Sequence, residues 1–190
     1  MLTILNYIIA GLEIAVLLLA ARIMLGVCKN GSCKEKQDKP VIEKIGRGFL
    51  PVVGAPADTK LPIRGSSFAA GYDFYAPEEI IVPAYGRSEL VYFNVKAYMG
   101  ADEFLYMRIR SGLSTKHELM LETSGVIDSD YFGNPTTDGN IATVFRNNSD
   151  TDYVIKKGER CCQGIFMKYL LAGNDAALGV RRGGYGSTGK

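Results

Sequence analysis

Gly125-Val126-Ile127-Asp128-Ser129-Asp130-Tyr131-Phe132-Gly133 places two carboxylates and a phenol between two glycines. Glycine at each end admits the positive φ and the close backbone approach of a tight hairpin. Val126 and Ile127, both β-branched, enter as a short strand. Asp128 then falls at the turn with its carboxylate free. Such a bend offers backbone N–H and C=O groups to a flat ligand, and one acid to a water molecule. Taken alone, it also fits an ordinary Asp-rich surface turn, so its neighbours in the chain decide.

Outward from the bend, the chain reads as short β-runs broken by Gly, Pro and Asn. Leu61 to Arg64 and Tyr72 to Tyr75 predict two strands across a Gly/Ser turn. Glu79 to Val82 and Arg87 to Tyr98 predict two more, joined by Pro83-Ala84-Tyr85-Gly86. Glu103 to Ile109 alternates, with Phe104, Tyr106 and Arg108 on one face and Leu105, Met107 and Ile109 on the other. Ser111 to His117 predicts a short helical turn capped by Ser111. Ile141 to Phe145, Tyr153 to Ile155 and Cys161 to Leu170 complete the strands. Phe49 to Val53 predicts an edge strand, a role to which Pro51 limits it. The fold class is therefore all-β, a sandwich, jelly roll or barrel over residues 48–176. A flexible Gly-rich arm follows over 177–190.

Several side chains outside the bend carry chemistry. Arg110-Ser111-Gly112 combines a planar fork of donors, a hydroxyl and a backbone open to approach at a helix start, all suited to phosphate oxygens. Asp73, a strand acid among aromatics in Gly71-Tyr72-Asp73-Phe74, must be paired or metal-linked if buried. A structural salt bridge and a metal role both remain open for it. Arg181-Arg182-Gly183-Gly184-Tyr185-Gly186-Ser187-Thr188-Gly189 has the composition of a tail but also carries phosphate donors and one aromatic.

These stretches, together with Gly158-Glu159-Arg160-Cys161-Cys162-Gln163, fall in the order of the five motifs of the trimeric dUTPases, which the chain resembles over about Lys60 to Lys190. The resemblance implies a dUTPase-like jelly-roll (β-clip) domain that hydrolyses dUTP to dUMP and pyrophosphate. It implies that Asp128 orients the attacking water, with Gln163 close to that water and the phosphates. Arg110, Ser111 and Gly112 would bind the triphosphate, and Asp73 would hold Mg²⁺ through water. The backbone around Gly125 and Ile127 would read the uracil edge. Tyr131 would pack under the deoxyribose and leave no room for a 2′-hydroxyl. From the arm, Tyr185 would stack on the base while Arg181, Gly186, Ser187 and Thr188 close over the phosphates, with Arg182 as an alternative to Arg181. Sites in this family form between subunits of a homotrimer, which implies the hairpin acid from one chain, the phosphate motifs from another and the arm from a third. Phe132 departs from the usual Arg or Gln, Cys161 and Cys162 replace small or branched apolar residues, and Asn134 to Asn140 lengthens a connection. That insertion is expected to alter the rim and not the roles. The deaminases of the superfamily read Arg-Ser-Ser-Leu where this chain has Arg-Ser-Gly-Leu. Their catalytic Glu would align near Val144, which moves no protons.

The 190 residues hold 22 basic and 20 acidic side chains, a balance in which nothing points to a general nucleic-acid binder. Cys28, Cys33, Cys161 and Cys162, with His117 as the single histidine, do not make a zinc site and read as reduced thiols of a cytosolic protein. Residues 1–27 are apolar nearly throughout, broken by Asn6, Glu13 and Arg22. As a helix this segment would reach roughly 30–40 Å, enough to cross a bilayer core. Lys29, Lys34, Lys36 and Lys39 follow in a linker over 28–47, and their charge would leave the globular domain in the cytoplasm. The segment is read as a membrane anchor. The alternatives are a helix buried against a partner or its own copies, and a start placed too far upstream. A second function also stands beside the enzyme: a dUTPase-like regulatory or membrane-tethered binding module.

Overall fold

The computed structural model describes residues 46–123 and 125–184. The hydrophobic helix expected over 1–27 and most of the linker lie outside the described residues, as does the arm from Tyr185 onward. Among the described residues no helix is long and apolar enough to cross a membrane. Thirteen short strands and one seven-residue helix make up the described secondary structure besides a 3₁₀ turn, so the all-β expectation holds.

The largest sheet is built on β13 (Arg160–Lys168). It pairs on one side with β7 (Glu103–Ile109) and on the other with β3 (Tyr72–Tyr75). β2 (Ile63–Arg64) and β9 (Val126–Asp128) close the two edges, giving the order β2-β3-β13-β7-β9, antiparallel throughout. β7 behaves as its alternation predicts: Leu105 and Met107 are fully buried, while Arg108 is exposed. β13 crosses the core at Gly164, where a Cβ would stand 2.9 Å from Leu105 Cδ1 and 3.0 Å from Phe74 Cε2. Only glycine permits that approach.

Four two-stranded ladders complete the fold. β1 (Gly48–Pro51) pairs with β6 (Val95–Tyr98), and β4 (Ile80–Val82) pairs with β12 (Tyr153–Ile155). β5 (Val91–Tyr92) pairs with β10 (Ala142–Thr143), and β8 (Leu119–Leu121) pairs with β11 (Phe145–Asn147). Their inner faces meet the large sheet through Phe74, Val82, Val95, Phe145 and Ile155, all buried. Phe49 touches Tyr72, Phe74 and Phe166 with ring centroids 5.3–5.5 Å apart, which seats the β1 edge on the core.

Four local expectations are corrected. Arg87 to Tyr98 is not one strand: Asn94 takes φ +58, and the chain changes partner there, from β10 to β1. Ile141 to Phe145 likewise divides between β10 and β11. The helix α1 (Ser111–His117) is not capped by Ser111; Arg110 holds the N-cap position, with no side-chain cap bond. Gly125 is not among the positive-φ glycines, whereas Gly133 is, at φ +64.

Candidate functional site

The bend is laid down by β9, whose register against β7 sets Asp128 opposite Phe104 and Ile127 opposite Leu105. Ile127 therefore turns into the core and Asp128 away from it, with the Asp128 side chain 46% exposed. Gly125 precedes this strand for a steric reason: a Cβ there would lie 3.2 Å from Met107 Cβ, and its carbonyl accepts the Met107 N–H at 2.9 Å. After Asp128 the backbone closes into a 3₁₀ turn, Ser129–Tyr131, which swings Tyr131 inward. The Tyr131 phenol donates to the Asn140 carbonyl at 2.9 Å, and burial raises its pKa above the ordinary phenol value.

A cavity of about 200 Å³ opens beside the bend, lined by Gly125, Ile127, Asp128, Tyr131, Arg181 and Gly184 among others. The root of the C-terminal arm forms one wall. Arg181 Nε donates to Asp130 Oδ1 at 2.7 Å, and another nitrogen of the same guanidinium bonds Asp128 Oδ2. That guanidinium lies 6.0 Å from the Tyr131 ring centroid, and Gly184 packs against the same ring. The Asp128 carboxylate is thus not free, as the sequence suggested, but paired with an arm residue. Asp130 shares the same arginine.

A second cluster sits where β3, β13 and the end of β7 meet. Asp73 is 8% exposed and takes Arg110 Nε at 3.1 Å on one oxygen and Arg160 Nη1 at 3.2 Å on the other. The open question about Asp73 is answered in part: the buried acid is ion-paired. Gln163 lies opposite Asp73 on one side and Arg108 on the other. Its side chain rests over Gly71, where any Cβ would collide with the carboxamide. Ser111 and Gly112 open α1, both exposed. Two guanidiniums against one carboxylate leave a net positive charge and spare N–H donors, an anion-binding arrangement. The sequence gives Arg160 no role of its own. Its contact with an acid 87 residues away is a product of the β3–β13 pairing.

Within one chain the two clusters do not meet. Asp128 registers with Phe104 and Gln163 with Arg108 on β7, which puts about 15 Å of sheet between them. None of Asp73, Arg110 or Gln163 lines the cavity at the bend. Tyr185, Gly186, Ser187 and Thr188 lie outside the described residues. Cys161 and Cys162 are free and buried, and burial pushes the Cys162 thiol well up.

Comparison with known proteins gives one answer. The family model described as dUTPase matches residues 57–189. A deoxyuridine 5′-triphosphate nucleotidohydrolase of Lactococcus lactis is 43% identical over 147 residues, covering 75% of this chain and 97% of that protein. One from Oryza sativa is 36% identical over 148 residues, covering 74% and 81%. The crystal structure of a dUTPase from Streptococcus mutans superposes with a TM-score of 0.61 at 40% identity, covering 66% of this chain and 98% of that one.

Proposed function

This chain belongs to the dUTPase family, and from that membership we infer an enzyme that hydrolyses dUTP to dUMP and pyrophosphate. The observation that carries the site assignment is the half-exposed Asp128 carboxylate at the wall of the cavity beside Tyr131 and Ile127. Asp128 orients a water in line with the α-phosphorus and accepts its proton as attack proceeds. The water oxygen bonds to that phosphorus, the bond to the bridging oxygen breaks, and pyrophosphate leaves. Gln163 lies close to the water and the phosphates. Arg110, with Ser111 and Gly112 at the start of α1, binds the triphosphate. The backbone at Gly125 and Ile127 reads uracil, where cytosine would leave buried donors and acceptors mismatched. Tyr131 lies under the deoxyribose. Arg181, Tyr185, Gly186, Ser187 and Thr188 close over the nucleotide.

The distance between the two clusters supports a homotrimer with shared sites, in which the bend of one chain faces the Arg110 cluster of the next. Mg²⁺ fits as a companion of the substrate. Among the described residues no group of three or more His, Cys, Asp or Glu could cage a metal, and Asp73 brings one carboxylate already engaged by arginines. That suits an ion that keeps most of its waters, reached by Asp73 through water. When bound, it neutralises phosphate charge. Residues 2–27 are proposed as a membrane tether on the strength of their apolar run and the lysines that follow. Fractionating the full chain against one starting at Val41 tests the tether; equal solubility of both would sink it.

Pyrophosphate release from dUTP by the wild type and by Asp128→Ala tests the catalytic assignment. Equal rates would contradict it.

A further inference from the structure

The loop from Asn134 to Asn140 is built onto Tyr131, and not merely beside it. Asn134 is 5% exposed, and its amide donates to the Tyr131 carbonyl at 2.8 Å and to Thr137 Oγ1 at 2.9 Å. Its Oδ1 accepts from the Thr136 and Thr137 backbone N–H groups at 3.1 and 3.0 Å, which winds the loop around it. Thr137 Oγ1 in turn lies 3.1 Å from Tyr131 Oη, which donates to the Asn140 carbonyl at 2.9 Å. One set of donors runs from Asn134 through Thr137 and Tyr131 to Asn140, with the Tyr131 hydroxyl both acceptor and donor, while Asn134 Oδ1, 3.1 Å from Thr137 Oγ1, is the other acceptor within reach of the Thr137 hydroxyl. Gly139, at φ +80, closes the loop: a Cβ there would stand 2.9 Å from the Tyr131 carbonyl oxygen. Asp138 pins the whole to the β1 and β6 region by accepting from the Val53 N–H at 2.8 Å and from Lys96 Nζ at 2.6 Å.

A tyrosine ring has two free torsions, and tethering its hydroxyl at the far end removes most of what freedom packing leaves. We propose that Thr137 and Asn134 are positioning residues that hold the Tyr131 ring at the angle that rejects a 2′-hydroxyl, so that deoxyribose selection depends on this loop. The proposal rests on the dUTPase reading and on the place of Tyr131 under the sugar. With the tether cut, the ring tilts and gives room to a ribonucleotide.

The test is kcat/KM for dUTP and for UTP, measured on the full chain as wild type, Thr137→Val, Thr137→Ser and Tyr131→Phe, with melting temperatures alongside. Thr137→Val keeps the shape and loses the hydroxyl. It lowers the dUTP-to-UTP ratio about three- to tenfold, the scale of one lost hydrogen bond. Thr137→Ser keeps the ratio near wild type. Tyr131→Phe keeps the ring and cuts the relay at its other member, and moves the ratio the same way even if the valine variant folds poorly. A ratio unchanged in both Thr137→Val and Tyr131→Phe, or a valine variant that loses both substrates equally, overturns the proposal and leaves the dUTPase reading standing. A wild type that hydrolyses neither nucleotide overturns that reading first.

Discussion

Arg181 faces two carboxylates, and that sets what substitutions at the bend do. Asp128→Asn keeps the shape of the side chain and removes its basicity. It lowers kcat for dUTP by at least about 100-fold, with dUTP binding retained by calorimetry. Arg181→Ala removes the contact with both carboxylates and the phosphate ligand proposed for the arm, and raises KM for dUTP about tenfold with a smaller effect on kcat. Asp128 could be picked out from the sequence because its neighbours form a known pattern. Its partner Arg181 could not, because a contact across 53 residues leaves no periodicity to read. Gly125 shows a different limit. Sequence says that a glycine is needed, but a dihedral demand and a steric one look the same. Here the demand is the Met107 side chain at 3.2 Å.

The strands follow the same division. Alternation placed β7 correctly because both of its neighbours are strands of one sheet, so each face has a constant environment. The run from Arg87 to Tyr98 reads as continuous because each half is β-prone. One left-handed residue, Asn94, ends the pairing, and asparagine tolerates that conformation without announcing it. Cys161 and Cys162 are both fully buried although neighbours in a strand normally face opposite ways. The register of β13 against β3 slips between Arg160 and Cys162, and this bulge accompanies the burial of both. In a Cys28→Ser, Cys33→Ser background, neither remaining thiol reacts with iodoacetamide at pH 8 until the protein is unfolded by denaturant; mass spectrometry of the native protein reads this directly. Gly164→Ala forces a methyl against Leu105 and Phe74 and lowers stability by about 1–3 kcal/mol in urea melts.

Across the whole molecule, stability responds to acid through ties between distant elements. Arg47, just before β1, bonds both oxygens of Glu103 at the start of β7, and this hydrogen bonding holds the Glu103 carboxyl below its ordinary value. A depressed carboxyl contributes stability that is complete above its unfolded pKa and is lost as pH falls through the folded one. The melting temperature of Glu103→Gln therefore changes less between about pH 5 and pH 3 than that of wild type. The larger consequence of the architecture is that one chain carries the bend and the Asp73–Arg110–Gln163 cluster about 15 Å apart on the same sheet. This separation was invisible in the motifs, which give order along the chain and not distance in space. Complementation between two variants tests whether the clusters of different chains work together. Asp128→Asn and Arg110→Ala are each inactive alone, and are refolded together from denaturant at equal amounts. If the bend of one chain works with the Arg110 cluster of another, random mixing restores one site in four, about a quarter of the wild-type dUTP hydrolysis rate. A mixture that stays at the background of the separate variants, while forming mixed oligomers, contradicts the shared site.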